Sequence, residues 1–380
     1  MSELLTRGVQ EVVPPELGAQ KLKSGKKLRV YLGIDPTGAH LHIGHAVPLR
    51  KLQAFADAGH DVIFLIGSYT AMIGDPTGRD AMREPLTKEQ VQENFKTYKQ
   101  QASKVLDFSK VHIRYNDEWL AKLTAQEIME TASHFTVQQM LQRDMFKERM
   151  KKGEDLSPVE FFYPLMVGYD SVVLDVDCEI GGNDQLFNML CGRKLQKAYG
   201  KRDKFVLTTK LIEGIDGRKM SKTYANCIYL DDEPSDMFGK IMSVKDSLME
   251  TYFECCTDVP LGEVKKILKG NPRDAKVLLA KEIVTLYHGE DAAHAAVKAF
   301  DTVFKQGGLP EDIPEFKAHK GALLIDVLVE SGLAKSKSDA RRVMEQGGVK
   351  KDDTVIDFLD AIVEEGVYRV GKRKFLRIHV

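Results

Sequence analysis

Between residues 28 and 230, short apolar runs alternate with longer segments of helical periodicity. LRVYLGI (28–34), DVIFLIG (61–67), VHIRY (111–115) and KFVLTT (204–209) are rich in Val and Ile and short. Apolar residues on both faces are what a parallel strand covered by helices requires, so these runs predict the strands of a doubly wound parallel sheet. The stretch 117–170 interrupts the alternation with helical sequence. Thr124 with Glu127, and Ser157 with Glu160, have the spacing of capping boxes, and Pro158 stands at a first helical position. Two helices inserted between the halves of the sheet are expected.

Past Pro234 the strand pattern fades. Asn271–Pro272 opens a helix that runs to about His288, and 291–304 reads as another. A Gly- and Pro-rich break follows at 307–321. In the last sixty residues, 333–349 reads as a helix ending at a Gly pair, and VYRVGKRKFLRIHV (367–380) alternates like a strand pair. The expected organisation is a Rossmann-like α/β domain over 1–230 with a helical insertion at about 117–160. An all-helical domain (231–308), a linker (309–319) and a small α+β domain (320–380) complete it.

A chain of 380 residues with 43% hydrophobic and 29% charged residues has ample material for a core and is too apolar to be disordered. With 55 Lys and Arg against 56 Asp and Glu, the net charge of −1 names no acidic partner, so any nucleic-acid affinity must be local. The N-terminus lacks a signal-peptide core, and no run approaches the ~18 apolar residues that span a bilayer. Cys178, Cys191, Cys227, Cys255 and Cys256 are odd in number and form no CxxC pair, against a zinc ribbon or a disulfide framework. A cytoplasmic protein with free thiols is expected.

Chemistry concentrates in two places. After the first strand comes YLGIDPTG (31–38) and then His42-Ile43-Gly44-His45. Ligands of open α/β sheets bind at the carboxyl ends of strands, where a helix N-terminus offers N–H groups to phosphate. His42 and His45 lie three apart, hence on one side of a nascent helix, and Gly44 leaves room for a flat base. A histidine-containing turn that merely caps a helix fits equally; a zinc pair lacks a third ligand at metal spacing. After the last strand comes Gly217-Arg218-Lys219-Met220-Ser221-Lys222-Thr223, which suits a loop closing on a polyanion and also an ordinary Lys-rich surface turn.

Together the two segments resemble the HIGH and KMSKS signatures of class I aminoacyl-tRNA synthetases, with Thr223 in place of the final Ser. YLGIDPT, IGDPTGR (73–79), FFYPLMVGYDS (161–171) and GGNDQ (181–185) extend the likeness to bacterial tyrosyl-tRNA synthetases over almost the whole chain. In 157–170, Tyr163, Val167 and Asp170 follow i, i+4, i+7 spacing and share one helix face. The resemblance implies that Tyr31 and Asp170 hydrogen-bond the phenolic hydroxyl of L-tyrosine. Tyr163, Asp75 and Thr70 would hold its ammonium, and Gln185 with Asp184 would reach the carboxylate and ribose. It implies an ATP site of Gly33, Asp35, His42, Gly44, His45, Asp184, Lys219, Met220, Ser221 and Lys222. Thr37 and His42 would lie on the γ-phosphate side, His45 on the nucleotide, and Lys219, Lys222, Arg79 and Arg83 would close on the phosphates. Mg²⁺ would ride on those phosphates, with no metal held by the protein. Val167 departs from the family, which usually has Gln there.

Residues 335–351 carry Lys335, Lys337, Arg341, Arg342, Lys350 and Lys351 against Asp339 and Glu345, and 366–380 carries Arg369, Lys372, Arg373, Lys374 and Arg377 with no acid. This is either a solvated basic face or a phosphate-backbone footprint. It resembles the RNA-binding domain named after ribosomal protein S-four, which implies tRNA(Tyr) contact; the family also implies a homodimer through the inserted helices. The competing readings are a synthetase for another aromatic amino acid, an inactive synthetase-derived RNA-binding protein, and a cytidylyltransferase-like enzyme sharing the HxGH geometry.

Overall fold

The computed structural model describes residues 2–38, 40–76, 86–221, 224–305, 313–352, 354–371 and 374–380. These fall into two compact units, one of 1–232 with 243–287, the other of 233–242 with 288–380.

The first unit is built on a six-stranded sheet of β1 (Val9–Val13), β2 (Arg29–Ile34), β3 (Asp61–Ile66), β4 (Val111–Tyr115), β5 (Cys178–Gly182) and β6 (Phe205–Thr209). The order is β1-β6-β5-β2-β3-β4; β2 to β6 run parallel and β1 antiparallel to β6. The four strands expected from apolar runs are present, and β3, for instance, is buried along nearly its whole length. The strand order reverses between β2 and β5, and such a switch point opens a crevice at the carboxyl ends of the two strands. β1 and β5 were not expected. β1 (VQEVV) is a partly exposed edge strand, and β5 (CEIGG) carries a buried Glu179 and two glycines.

The insertion holds more than the two helices expected. Thr124 and Ser157 do cap Ala125–Ser133 and Pro158–Leu174, each within a capping box. Thr136 caps a further turn, Val137–Met140, and Gly153 in the left-handed conformation ends Asp144–Lys152. Arg149 Nη1 meets Glu160 Oε1 at 2.5 Å, both side chains buried, tying Asp144–Lys152 to the start of Pro158–Leu174. Helix Pro272–His288, started by Asn271 Oδ1 accepting from Arg273 N at 2.8 Å, ends at the boundary of this unit.

In the second unit, helices Pro234–Met242 and Glu290–Lys305 pack through Phe238 and Phe300 (centroids 5.3 Å). A five-stranded sheet of β7 (Glu315–Lys317), β8 (Val349–Lys351), β9 (Thr354–Val355), β10 (Gly366–Val370) and β11 (Lys374–His379) has the order β7-β11-β10-β8-β9. With helices Leu324–Glu330 and Lys337–Glu345 it closes over Leu324, Leu328, Met344, Tyr368 and Ile378. The expected terminal strand pair is β10–β11. No helix among the described residues is long and apolar enough to cross a membrane. All five cysteines are buried, and none is in a disulfide.

Candidate active site

A cavity of about 380 Å³ opens at the switch point, a size that accommodates a small molecule. One wall is the carboxyl end of β2 with the loop into helix Ile43–Asp57; the opposite wall is the end of β5 with the turn Asn183–Gln185. Tyr31, Thr70, Asp75, Tyr163, Val167, Asp170 and Gln185, assigned to one amino-acid pocket, all line it. So do Gly33, Asp35, Thr37, His42, Gly44, His45, Asp184, Lys219 and Met220, assigned to nucleotide.

Two buried polar groups, Asp170 and Tyr31, enter one end of the cavity, with the buried Asn116 and Glu179 also in its lining. Asp170, 3% exposed, accepts from Trp119 Nε1 (2.8 Å) and Asn116 Nδ2 (3.2 Å). Burial pushes its carboxyl well above the usual range, and those two donors oppose the shift. Tyr31, 1% exposed, shares a 2.9 Å hydrogen bond with Ser171 Oγ; burial and then the Glu179 charge raise its phenol. Beside them Asp35 accepts from Thr70 Oγ1 (2.8 Å) and from Tyr163 O–H (2.9 Å), so the side chain grouped with nucleotide in the sequence turns toward the ammonium set. Gln185 Nε2 donates to Asp75 at 2.8 Å. Val167 lines the cavity as an apolar surface.

At the other end the two signature segments meet. Ile43 N–H donates to Ile228 O and Leu230 N–H to Leu41 O, both at 2.9 Å, lacing the start of the histidine helix to the chain that follows the Lys-rich loop. The His42 and His45 rings stack at 3.8 Å. His45 Nδ1 accepts from the His42 backbone N–H at 3.3 Å, so a neutral His45 carries its proton on Nε2. Lys219 Nζ reaches Asp184 at 3.4 Å. Ser221 is not in the lining; its N–H donates to Asn226 Oδ1 at 2.9 Å. Asn226, 1% exposed, also donates to Asp216 Oδ1 (2.8 Å) and Lys219 O (3.1 Å), pinning the loop. Arg79, Arg83, Lys222, Lys372 and Arg373 lie outside the described residues.

In the C-terminal sheet unit, Lys335, Lys337, Arg341 and Arg342 are exposed at and along helix Lys337–Glu345. Lys337 pairs with Asp326 (2.7 Å) and Arg342 with Asp339 (2.6 Å), whereas Lys335 and Arg341 make no ion pair among the described residues. No group of three or more His, Cys, Asp or Glu among the described residues is placed to hold a metal ion.

Asn116, Trp119, Ser171, Glu179, Lys204 and Asn226 were not singled out from the sequence. Ser171 sits directly after Asp170 within the capped helix, which was a usable signal; the others act from distant segments.

Residues 23–305 match the family described as tRNA synthetases class I (W and Y). A tyrosine–tRNA ligase 2 of Vibrio cholerae serotype O1 is 47% identical across 99% of this chain and 97% of its own length. The tyrosine–tRNA ligase of Thermotoga maritima is 45% identical across 99% and 96%. Among solved structures, a C-terminally truncated mitochondrial tyrosyl-tRNA synthetase of Aspergillus nidulans aligns with a TM-score of 0.69 at 26% identity, covering 80% of this chain and 93% of that one. With the signature segments joined around one cavity at the switch point of the sheet, the chain belongs to the class I tRNA synthetases, and among them to the bacterial-type tyrosyl-tRNA synthetases.

Proposed function

We propose that the chain is a tyrosine–tRNA ligase that activates L-tyrosine with ATP and passes it to tRNA(Tyr). The observation that carries this reading is the pair of buried polar groups, Tyr31 and Asp170, in the same cavity that receives His42, His45 and Lys219. A hydroxyl placed there gives each group a further hydrogen-bond partner; an unsubstituted ring leaves that remaining capacity unused and dry.

The substrate ammonium sits among Asp35, Asp75, Thr70 and Tyr163. The two carboxylates supply the acceptors that Val167 does not. The substrate carboxylate is ionised at neutral pH and needs no general base. One of its oxygens bonds to the α-phosphorus of ATP as the bond from that phosphorus to the β-bridging oxygen breaks, and the electron pair leaves with pyrophosphate. Catalysis is positioning and charge stabilisation: His45 Nε2–H, His42, Thr37 and Lys219 meet the phosphates, with Lys222, Arg79 and Arg83 joining them. Mg²⁺ carried on the phosphates would neutralise part of their charge. The adenylate's acyl carbon is then attacked by a ribose hydroxyl at the tRNA terminus, releasing AMP.

In this reading 1–230 is the catalytic domain, 231–308 an anticodon-binding-type helical domain, 309–319 a linker and 320–380 the S-four-like RNA-binding domain. Lys335, Lys337, Arg341, Arg342, Lys372 and Arg373 contact tRNA phosphates. Two copies associate through the inserted helices, where Met129, Val137, Met150, Val159 and Phe162 are exposed. The setting is cytoplasmic, which suits five cysteines held in no disulfide.

The test is amino-acid-dependent ATP–pyrophosphate exchange. Tyrosine should support exchange, with phenylalanine and tryptophan far behind; exchange with tryptophan and not tyrosine would overturn the assignment.

A further inference from the structure

Beneath Tyr31 lies a polar chain that the activation chemistry does not use. Lys204, at the entry to β6, is fully buried, and so is its partner Glu179 on β5. Lys204 Nζ contacts Glu179 Oε2 and donates to Ser171 Oγ at 2.6 Å. Ser171 Oγ in turn lies 2.9 Å from Tyr31 O–H and 3.4 Å from Glu179 Oε2. The space is fitted to this arrangement. A Cβ at Gly192 would come within 2.5 Å of Ser171 Oγ and 2.7 Å of Lys204 Nζ. The ammonium also lies 5.8 Å from the centre of the Tyr31 ring.

The direction of the bonds follows from what each group can do. An ammonium donates three hydrogens and accepts none, so Ser171 Oγ must accept from Lys204. Ser171 has one hydrogen to give. Glu179 Oε2 already receives Lys204 and is the longer contact, so that hydrogen goes to the Tyr31 oxygen. Tyr31 then keeps its own hydrogen to give to a ligand in the cavity it lines, with the more distant Glu179 carboxylate as the competing acceptor. Were the bond reversed, Tyr31 would spend its hydrogen on Ser171 and present only lone pairs to a ligand, beside a second acceptor in Asp170.

We propose that Lys204, held by Glu179, and Ser171 form a buried donor chain that turns the Tyr31 hydroxyl hydrogen into the cavity and thereby sets the preference for a para-hydroxylated amino acid. Lys204 and Ser171 do not line the cavity and are positioning residues. The inference rests on the tyrosine–tRNA ligase reading and adds a determinant of its specificity.

The experiment measures kcat/KM for tyrosine and for phenylalanine in pyrophosphate exchange. Ser171→Ala should lower the tyrosine value roughly three- to tenfold and leave phenylalanine nearly unchanged, the change that one neutral hydrogen bond supports. The loss should sit in KM for tyrosine, with KM for ATP unmoved. Ser171→Thr, which keeps the hydroxyl, should restore the ratio. Because Lys204→Met alone strands a buried carboxylate and can prevent folding, the paired variant Lys204→Met/Glu179→Gln removes both charges at similar volume. It should reproduce the narrowed ratio. A purely structural role would move both substrates equally; an unchanged ratio in Ser171→Ala and in the paired variant overturns the proposal. Wild-type protein without tyrosine-dependent exchange overturns the ligase reading and the donor chain with it, whereas normal wild-type preference with an unaltered Ser171→Ala ratio overturns the donor chain alone.

Discussion

Replacing Asp170 with Ala tests the hydroxyl-reading end of the cavity most directly. The carboxylate offers about four acceptor positions. Trp119 Nε1 and Asn116 Nδ2 occupy one on each oxygen, which leaves acceptor capacity for a ligand hydroxyl. A net hydrogen bond to a charged group is worth roughly 1.5–3 kcal/mol. At about 1.4 kcal/mol per tenfold change, its loss lowers kcat/KM for tyrosine roughly 10- to 150-fold. Phenylalanine never made the bond, so its kcat/KM should hold or rise slightly as a buried carboxylate that the bare ring leaves only partly satisfied is removed. The tyrosine-to-phenylalanine ratio should therefore shrink by at least the same factor. Asp170→Asn keeps one acceptor and should fall in between. The assay is pyrophosphate exchange with each amino acid, with ATP saturating and folding checked by thermal melting, because Trp119 and Asn116 each lose a partner. Equal losses for both amino acids would refute the reasoning, since they would mean that Asp170 only supports the fold.

Gly44→Ala would place a Cβ 2.9 Å from His42 Nδ1, displacing that ring from its stack on His45; KM for ATP should rise roughly tenfold, and an unmoved KM would deny the histidine pair a nucleotide role. Lys51 is buried on helix Ile43–Asp57, and burial, then the Arg7 charge, lowers its ammonium to about 8. Between about pH 8 and 10.4 the folded state has released this proton while the unfolded chain keeps it, so stability should gain up to about 3 kcal/mol as pH rises through that window. Urea unfolding of wild type and Lys51→Met at pH 7.5 and pH 10 checks this, and identical pH slopes would contradict it. Arg341→Ala with Lys335→Ala should weaken tRNA binding and flatten its salt dependence by about one unit of slope per cation, measured by filter binding at several salt concentrations; an unaltered slope would remove these two side chains from the RNA contact.

What the sequence disclosed was largely local. The capping boxes at Thr124 and Ser157 are short-range hydrogen-bond patterns, and the helices start there. Strands β3 and β6 are buried along nearly their whole length and read as apolar runs, whereas the edge strand β4 was legible through Val111 and Ile113 despite its exposed His112. β5 escaped because Glu179 and two glycines break its run, and the buried carboxylate becomes tolerable only through Lys204, which precedes a different strand. The same holds at the site. His42, Gly44 and His45 are legible as a cluster, whereas the donors that hold Asp170 come from Asn116 and Trp119, 54 and 51 residues away. Asp35 could be placed after β2 by pattern; its turn toward Thr70 and Tyr163 needed the fold.

The pairing of β2 with β5 has a consequence for synthesis on the ribosome. Arg29 N–H bonds Asp177 across 148 residues, and Thr208 reaches Glu11 O across 197. The nascent N-terminal half, with β2, β3 and β4 already able to associate, therefore presents the flank of β2 bare until β5 emerges, and β1 has no neighbour until β6 follows. Such distant closures are slow, and bare strand flanks invite association with other chains. Translation pausing or chaperone capture ahead of residue 178 would thus bear on yield far more than the same delay afterwards, and a substrate could protect the chain only once β5 is out.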